Sequence, residues 1–232
     1  MRMWKIKIIY LFLTLIMIAC TNPQYELDEE ARGKLSEIPG QIELEFVGSD
    51  KYWHYSIVNG KLSLQMTKDY PPAHLEMPPY IYFPDEAPKD LPKIQGFEYH
   101  GPYRLSPDKA LIVLSISLET KGASVAKDFV LIRREKKEIL FQRKRNNEYF
   151  VEDLVWSPDS SMFAVLDGSR RRSLSIPGIA SYLFGHPVDV CKYYLSIYDR
   201  KGNLLVNTKV ASGLIGGGGR VFWQGKVKEG GP

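Results

Sequence analysis

Cysteine is scarce in this 232-residue chain: Cys20 and Cys191 are the only two, so at most one disulfide exists and a cystine-stapled scaffold is excluded. The four histidines, His54, His74, His100 and His186, are scattered without H-x-x-x-H or comparable spacing, and no zinc site is expected. There is no G-x-S-x-G elbow, which removes the usual hydrolase nucleophile. The glycines from Gly216 to Gly219 precede Arg220 but lack the Lys-Ser/Thr of a phosphate loop, and read as a bend before a last strand. Charge of one sign is also lacking. With 31 basic and 27 acidic residues the formal charge is +4, too mild to argue for nucleic acid. The apolar run Ile8 to Ala19 is 12 residues long, broken only by Thr14. A helix crossing the hydrocarbon core takes about 20. No catalytic residue, cofactor or metal is expected, and the chain is not read as an enzyme.

What precedes residue 20 reads as an address. Arg2, Lys5 and Lys7 form a positive region before the apolar run, and the small Ala19 stands just before Cys20. Leu15, Ile16, Met17, Ile18 and Ala19 leading into Cys20 resemble the lipobox of bacterial lipoproteins. The resemblance implies that residues 1–19 are a signal peptide, and that Cys20 becomes the lipidated first residue. By the same resemblance it would carry a diacylglycerol on sulfur and an acyl chain such as palmitate on nitrogen. Each buried CH₂ would contribute about 0.8 kcal/mol to the membrane anchor. Thr21, rather than Asp, after the cysteine resembles the signal for the outer membrane of a Gram-negative cell, facing the periplasm. Removing the three basic residues of the address from +4 leaves a formal charge near +1. Cys191, in "VDVCKYYLSIYD", is then a lone thiol, expected as a small apolar side chain in a strand.

Residues 20–40 read as a polar tether with one short helix-compatible piece, ending at Pro39 and Gly40. A β-repeat domain over 41–232 follows. Ile42, Leu44 and Phe46 alternate with Glu43 and Glu45, the period-2 pattern of a strand with one wet face. Asn59-Gly60 between "KYWHYSIV" and "KLSLQMT" is a strong hairpin signal, and a three-stranded meander is expected. Seven of the 15 prolines fall in residues 70–92, which predicts an extended connection. Within it Tyr80, Tyr82 and Phe83 are candidate partner-binding residues, offering rigid aromatic area.

The most informative feature is a repeat. "YRLSPDKALIVLSIS" at 103–117 recurs as "LVWSPDSSMFAVLDGS" at 154–169, with Ser106 and Ser157 separated by 51 positions. In each copy Pro presets φ for a tight turn and the flanking Ser and Asp bond nearby backbone. Each copy continues into two further strands, around Glu135-Lys136-Lys137-Glu138 in the first and Asp199 to Asn203 in the second. "RVFWQGKV" is a last candidate first strand, with Trp223 where Trp156 stands in the second copy.

These features resemble the repeats of TolB-type and WD40-like β-propeller families, in which Ser-Pro-Asp-Gly follows an aromatic-ended strand. The Gly of that pattern is Lys109 in one copy and Ser160 in the other. The resemblance implies an all-β fold of antiparallel four-stranded meander repeats, a small or incomplete β-propeller. It also implies a non-catalytic envelope lipoprotein whose repeat face binds another protein, as a complex or a homodimer. The alternative expectation is a protein or enzyme acting on an envelope glycan or lipid headgroup. It would use the basic stretches "RREKKE" and "QRKR" with Arg170, Arg171 and Arg172 as anionic-headgroup candidates.

Overall fold

A computed structural model describes residues 27–47, 51–69, 91–118, 128–143, 149–172, 189–214 and 218–225. One helix, α1 (Glu29–Ser36), precedes twelve strands among these residues. The N-terminal strands are β1 (Gln41–Val47), β2 (Lys51–Val58) and β3 (Lys61–Asp69). The first repeat supplies β4 (Phe97–Leu105), β5 (Leu111–Leu118), β6 (Asp128–Arg133) and β7 (Glu138–Gln142). The second supplies β8 (Phe150–Trp156), β9 (Met162–Arg172), β10 (Asp189–Asp199) and β11 (Leu204–Leu214), and β12 (Gly219–Gln224) ends the series.

The strands form three antiparallel sheets of four, ordered β12-β1-β2-β3, β4-β5-β6-β7 and β8-β9-β10-β11. Each repeat is thus one sheet made in chain order. The first sheet is different, because its leading strand comes from the far end of the chain: β1 pairs with β12 from Gln41↔Gln224 to Phe46↔Gly219. The expected three-stranded meander is the remainder of that sheet. Its turn is made by Asn59 at φ 49° and Gly60 at φ 72°, two left-handed residues in succession, which is what Asn-Gly supplies cheaply. The first strands of the three sheets lie side by side, with β8 flanked by β12 and by β4.

The β8–β11 sheet is in the middle and is buried on both faces. Ala164 and Leu166 of β9 join a core with Ile42, Leu44, Phe46 and Tyr193. Phe163 and Val165 join a second core with Leu111, Val113, Phe129 and Leu131 of the β4–β7 sheet. Phe129 meets Phe163 and Tyr198 edge-on, with ring centroids 5.6 and 5.1 Å apart. Two covered faces explain why "MFAVLDG" is apolar without alternation, each large side chain contributing roughly 1.5–3 kcal/mol on burial. The other face of the β4–β7 sheet carries Ile112, Leu114, Ile116, Val130 and Ile132, against which Leu91, Ile94, Phe97, Tyr99 and Tyr103 pack.

The segment expected as a tether differs from Leu27 onward. Ala31 and Leu35, four residues apart, share one face of α1, and together with Leu27 just before the helix they are buried in the first core. Asp28 caps α1, its carboxylate accepting from the Ala31 N–H at 2.7 Å. Residues 1–19, expected as a signal peptide, and Cys20, and residues 70–90 of the proline-rich stretch, lie outside the described residues.

Candidate functional site

The two Ser-Pro-Asp turns are built by the same bonds. The Ser106 hydroxyl donates to the Asp108 carboxylate at 2.6 Å, and the Leu111 N–H donates to the Ser106 hydroxyl oxygen at 3.0 Å. In the second copy Ser157 donates to Asp159 at 2.6 Å, and the Met162 N–H donates to Ser157 at 2.9 Å. The Asp carboxylates also accept the Ala110 and Ser161 N–H groups at 3.1 and 3.0 Å. Lys109 and Ser160 both take left-handed backbone, at φ 59° and 63°. That is the physical reason a glycine suits this position.

The turns of the two repeats touch. The Asp108 N–H donates to the Ser160 hydroxyl oxygen at 3.1 Å, and Arg200, from the β10–β11 hairpin, pairs with Asp108 at 2.6 Å. The Ser106 hydroxyl, then the Ala110 N–H and Arg200, hold the Asp108 carboxyl down to about 2 from 3.8. Asp159 is likewise lowered, chiefly by Ser157. The Arg134 N–H donates to the Ala110 carbonyl at 3.0 Å, which brings the β6–β7 hairpin to the same end of the sheets.

Buried charges join the sheets to one another. Asp153 on β8 accepts from Arg104 of β4 at 3.0 Å and from the Val221 N–H of β12 at 3.1 Å, so one carboxylate ties all three leading strands. Burial raises the Asp153 pKa, with Arg104 opposing. A bulge between Val151 and Asp153 makes Glu152 the extra residue of β8. The Trp156 indole N–H donates to the Arg104 carbonyl at 3.0 Å, a second link between β8 and β4. Arg143, following β7, donates twice to Asp167 of β9, both at 2.7 Å, and once to Asp128 at 3.0 Å. Its guanidinium also lies 4.6 Å from the Phe129 ring centroid. Burial pushes the Arg143 pKa down, but Asp167 more than offsets this and raises it.

Tyr80, Tyr82, Phe83 and Cys20 lie outside the described residues. Arg170, Arg171 and Arg172 are part of β9 rather than of a loop, paired in register with Cys191, Val190 and Asp189. They end a strand of 11 residues that starts at Met162 beside the second Ser-Pro-Asp turn. At about 3.3 Å per residue, the two ends are roughly 30 Å apart. The Arg133 to Glu138 hairpin lies at the turn end, so the two basic stretches do not combine into one surface. Within "QRKR", Arg143 is the buried ion-pair residue, where sequence reasoning placed a surface cation. His54 stands 3.2 Å from Glu43 across β1 and β2, and Cys191 is buried. Among the described residues no group of three or more His, Cys, Asp or Glu is placed to hold a metal ion. No protein-family model matches the chain, and no curated protein matches it.

Proposed function

We propose that the chain is a lipid-anchored lipoprotein of the bacterial cell envelope, whose propeller-like repeat domain binds another protein without catalysis. The observation that carries the fold part is the repetition of the Ser-Pro-Asp turn, bond for bond, at the same end of two adjacent sheets. Leading strands set side by side, and a C-terminal strand completing the N-terminal sheet, are consistent with it. The order of basic region, short apolar run, Ala19 and Cys20 supports the anchor. Edge strands β3, β7 and β11 are open to a partner or a second copy, and Tyr80, Tyr82 and Phe83 are the candidate contacts read from the sequence.

The anchor is tested by labelled palmitate incorporation and membrane fractionation of the wild type and Cys20→Ser. Label and membrane association are expected in the wild type and lost in the variant. Equal labelling of both overturns the anchor. Partner binding is tested by crosslinking in cells with Tyr80→Ala, Tyr82→Ala and Phe83→Ala combined. Crosslinked species are expected to disappear, and their persistence would remove these aromatics from the interface.

A further inference from the structure

Where the first Ser-Pro-Asp turn, the β6–β7 hairpin and the β10–β11 hairpin converge, they enclose an open groove of about 1060 Å³. Among the described residues six cations line it: Lys109, Arg133, Arg134, Lys137, Arg200 and Lys201. Glu135 is the one carboxylate in that described lining. Arg133 pairs with Glu138 at 2.7 Å and Arg200 with Asp108 at 2.6 Å, and these carboxylates reduce the positive excess without cancelling it.

The backbones that carry three of the other cations are pinned. Lys109 N–H donates to the Ser106 carbonyl at 2.7 Å, Arg134 N–H to the Ala110 carbonyl at 3.0 Å, and Lys201 N–H to the Asp199 carboxylate at 2.8 Å. Three turns from two repeats therefore present positive charge from fixed points, over a floor that includes Leu111 and Leu140. Apolar walls strengthen the field within a cleft, and the bonded backbones hold the roots of these side chains in place around it.

We propose that this groove binds a ligand carrying two or more phosphate groups. Arg134 supplies a planar fork suited to one phosphate, and Lys109 and Lys201 supply point charges to its neighbour. The site needs neither the lipid anchor nor the protein partner proposed above, and its failure would leave both untouched.

The test uses the full chain in neutral detergent micelles, with inorganic pyrophosphate as a free ligand and cardiolipin doped into the micelles as a headgroup. Saturable binding of pyrophosphate by titration calorimetry is expected. Arg134→Gln/Lys201→Gln removes two charge-assisted contacts and should weaken it by at least about tenfold, the effect of losing even one of them. Lys192→Gln, an exposed cation on β10 outside the groove, should leave it unchanged. Cardiolipin competing with pyrophosphate would support the proposal with a membrane headgroup as the source, and pyrophosphate binding alone would support it with a free phosphorylated molecule. Absence of saturable binding, equal binding by the double variant with a native circular dichroism spectrum, or citrate binding as tightly as pyrophosphate would each overturn it.

Discussion

Replacing Arg143 with Met removes the buried cation that joins the end of β7 to Asp167 of β9. Arg143 is 5% exposed and Asp167 0% exposed, and the two share a bidentate contact at 2.7 Å. Met keeps much of the side-chain volume, so the principal loss is electrostatic. Breaking one partner of a buried pair costs about 3–5 kcal/mol, because the remaining charge stays away from water. Against the roughly 5–15 kcal/mol typical of whole domains, that is a large share. Asp167→Asn should cost less than Arg143→Met, because Arg143 keeps its bond to Asp128 at 3.0 Å. The double variant, Arg143→Met/Asp167→Asn, should cost less than the two singles added together, since the Asp167 charge is removed with its partner and only Asp128 loses its bond to Arg143. Urea unfolding followed by tryptophan fluorescence reads all four proteins, Trp156 being buried in the core that Arg143 borders. A cost below about 1 kcal/mol for Arg143→Met, or strict additivity in the double variant, would refute the reasoning.

Lys109→Gly relieves a left-handed backbone at φ 59° and should raise stability by up to about 1 kcal/mol, measured by the same unfolding curves. Ser160→Gly at φ 63° should fall short of that gain, because the Ser160 hydroxyl accepts the Asp108 N–H at 3.1 Å. Asp108 is held at about 2 against an ordinary 3.8, so its contribution to stability is present above pH 3.8 and lost as pH falls toward 2. Asp108→Asn should flatten that acid limb, and an NMR titration of the carboxyl with its midpoint at the ordinary 3.8 would contradict the assignment. Gly219→Ala should destabilise by about 1–3 kcal/mol, since a Cβ there would sit 2.7 Å from Leu166 Cδ2.

Local patterns were legible where one physical rule dominated. Ile42, Leu44 and Phe46 alternate because one face of β1 is buried, and Asn59-Gly60 turns because Asn and Gly tolerate left-handed backbone. The repeat was legible because Ser, Pro and Asp each act locally, so the turn is encoded within a short stretch. The pairing of β12 with β1 was not, because it joins opposite ends of the described chain and leaves no short-range mark. Arg143 illustrates the same limit. In sequence it sits in a basic run that suggests solvent, and only the fold brings Asp167 and Asp128 to it. The helix was half visible: the Leu27, Ala31, Leu35 spacing is in the sequence, but the polar residues between them resemble a tether.

The repeat also explains why Lys109, and not Ser160 at the matching position, lines the basic groove. The left-handed position after each Ser-Pro-Asp tolerates any residue able to accept the strain, and the two copies use it differently. Ser160 turns its hydroxyl to the Asp108 N–H and fastens the second turn to the first. Lys109 instead lines the groove beside Arg134 and Lys201. A cation at position 160 would lose the inter-turn bond and stand close to Arg200, whose guanidinium lies 3.4 Å from the Ser160 carbonyl. At this one position, therefore, the second copy completes the joint with Asp108 and the first adds charge to the groove. Exchanging the two residues should weaken both the joint and the groove.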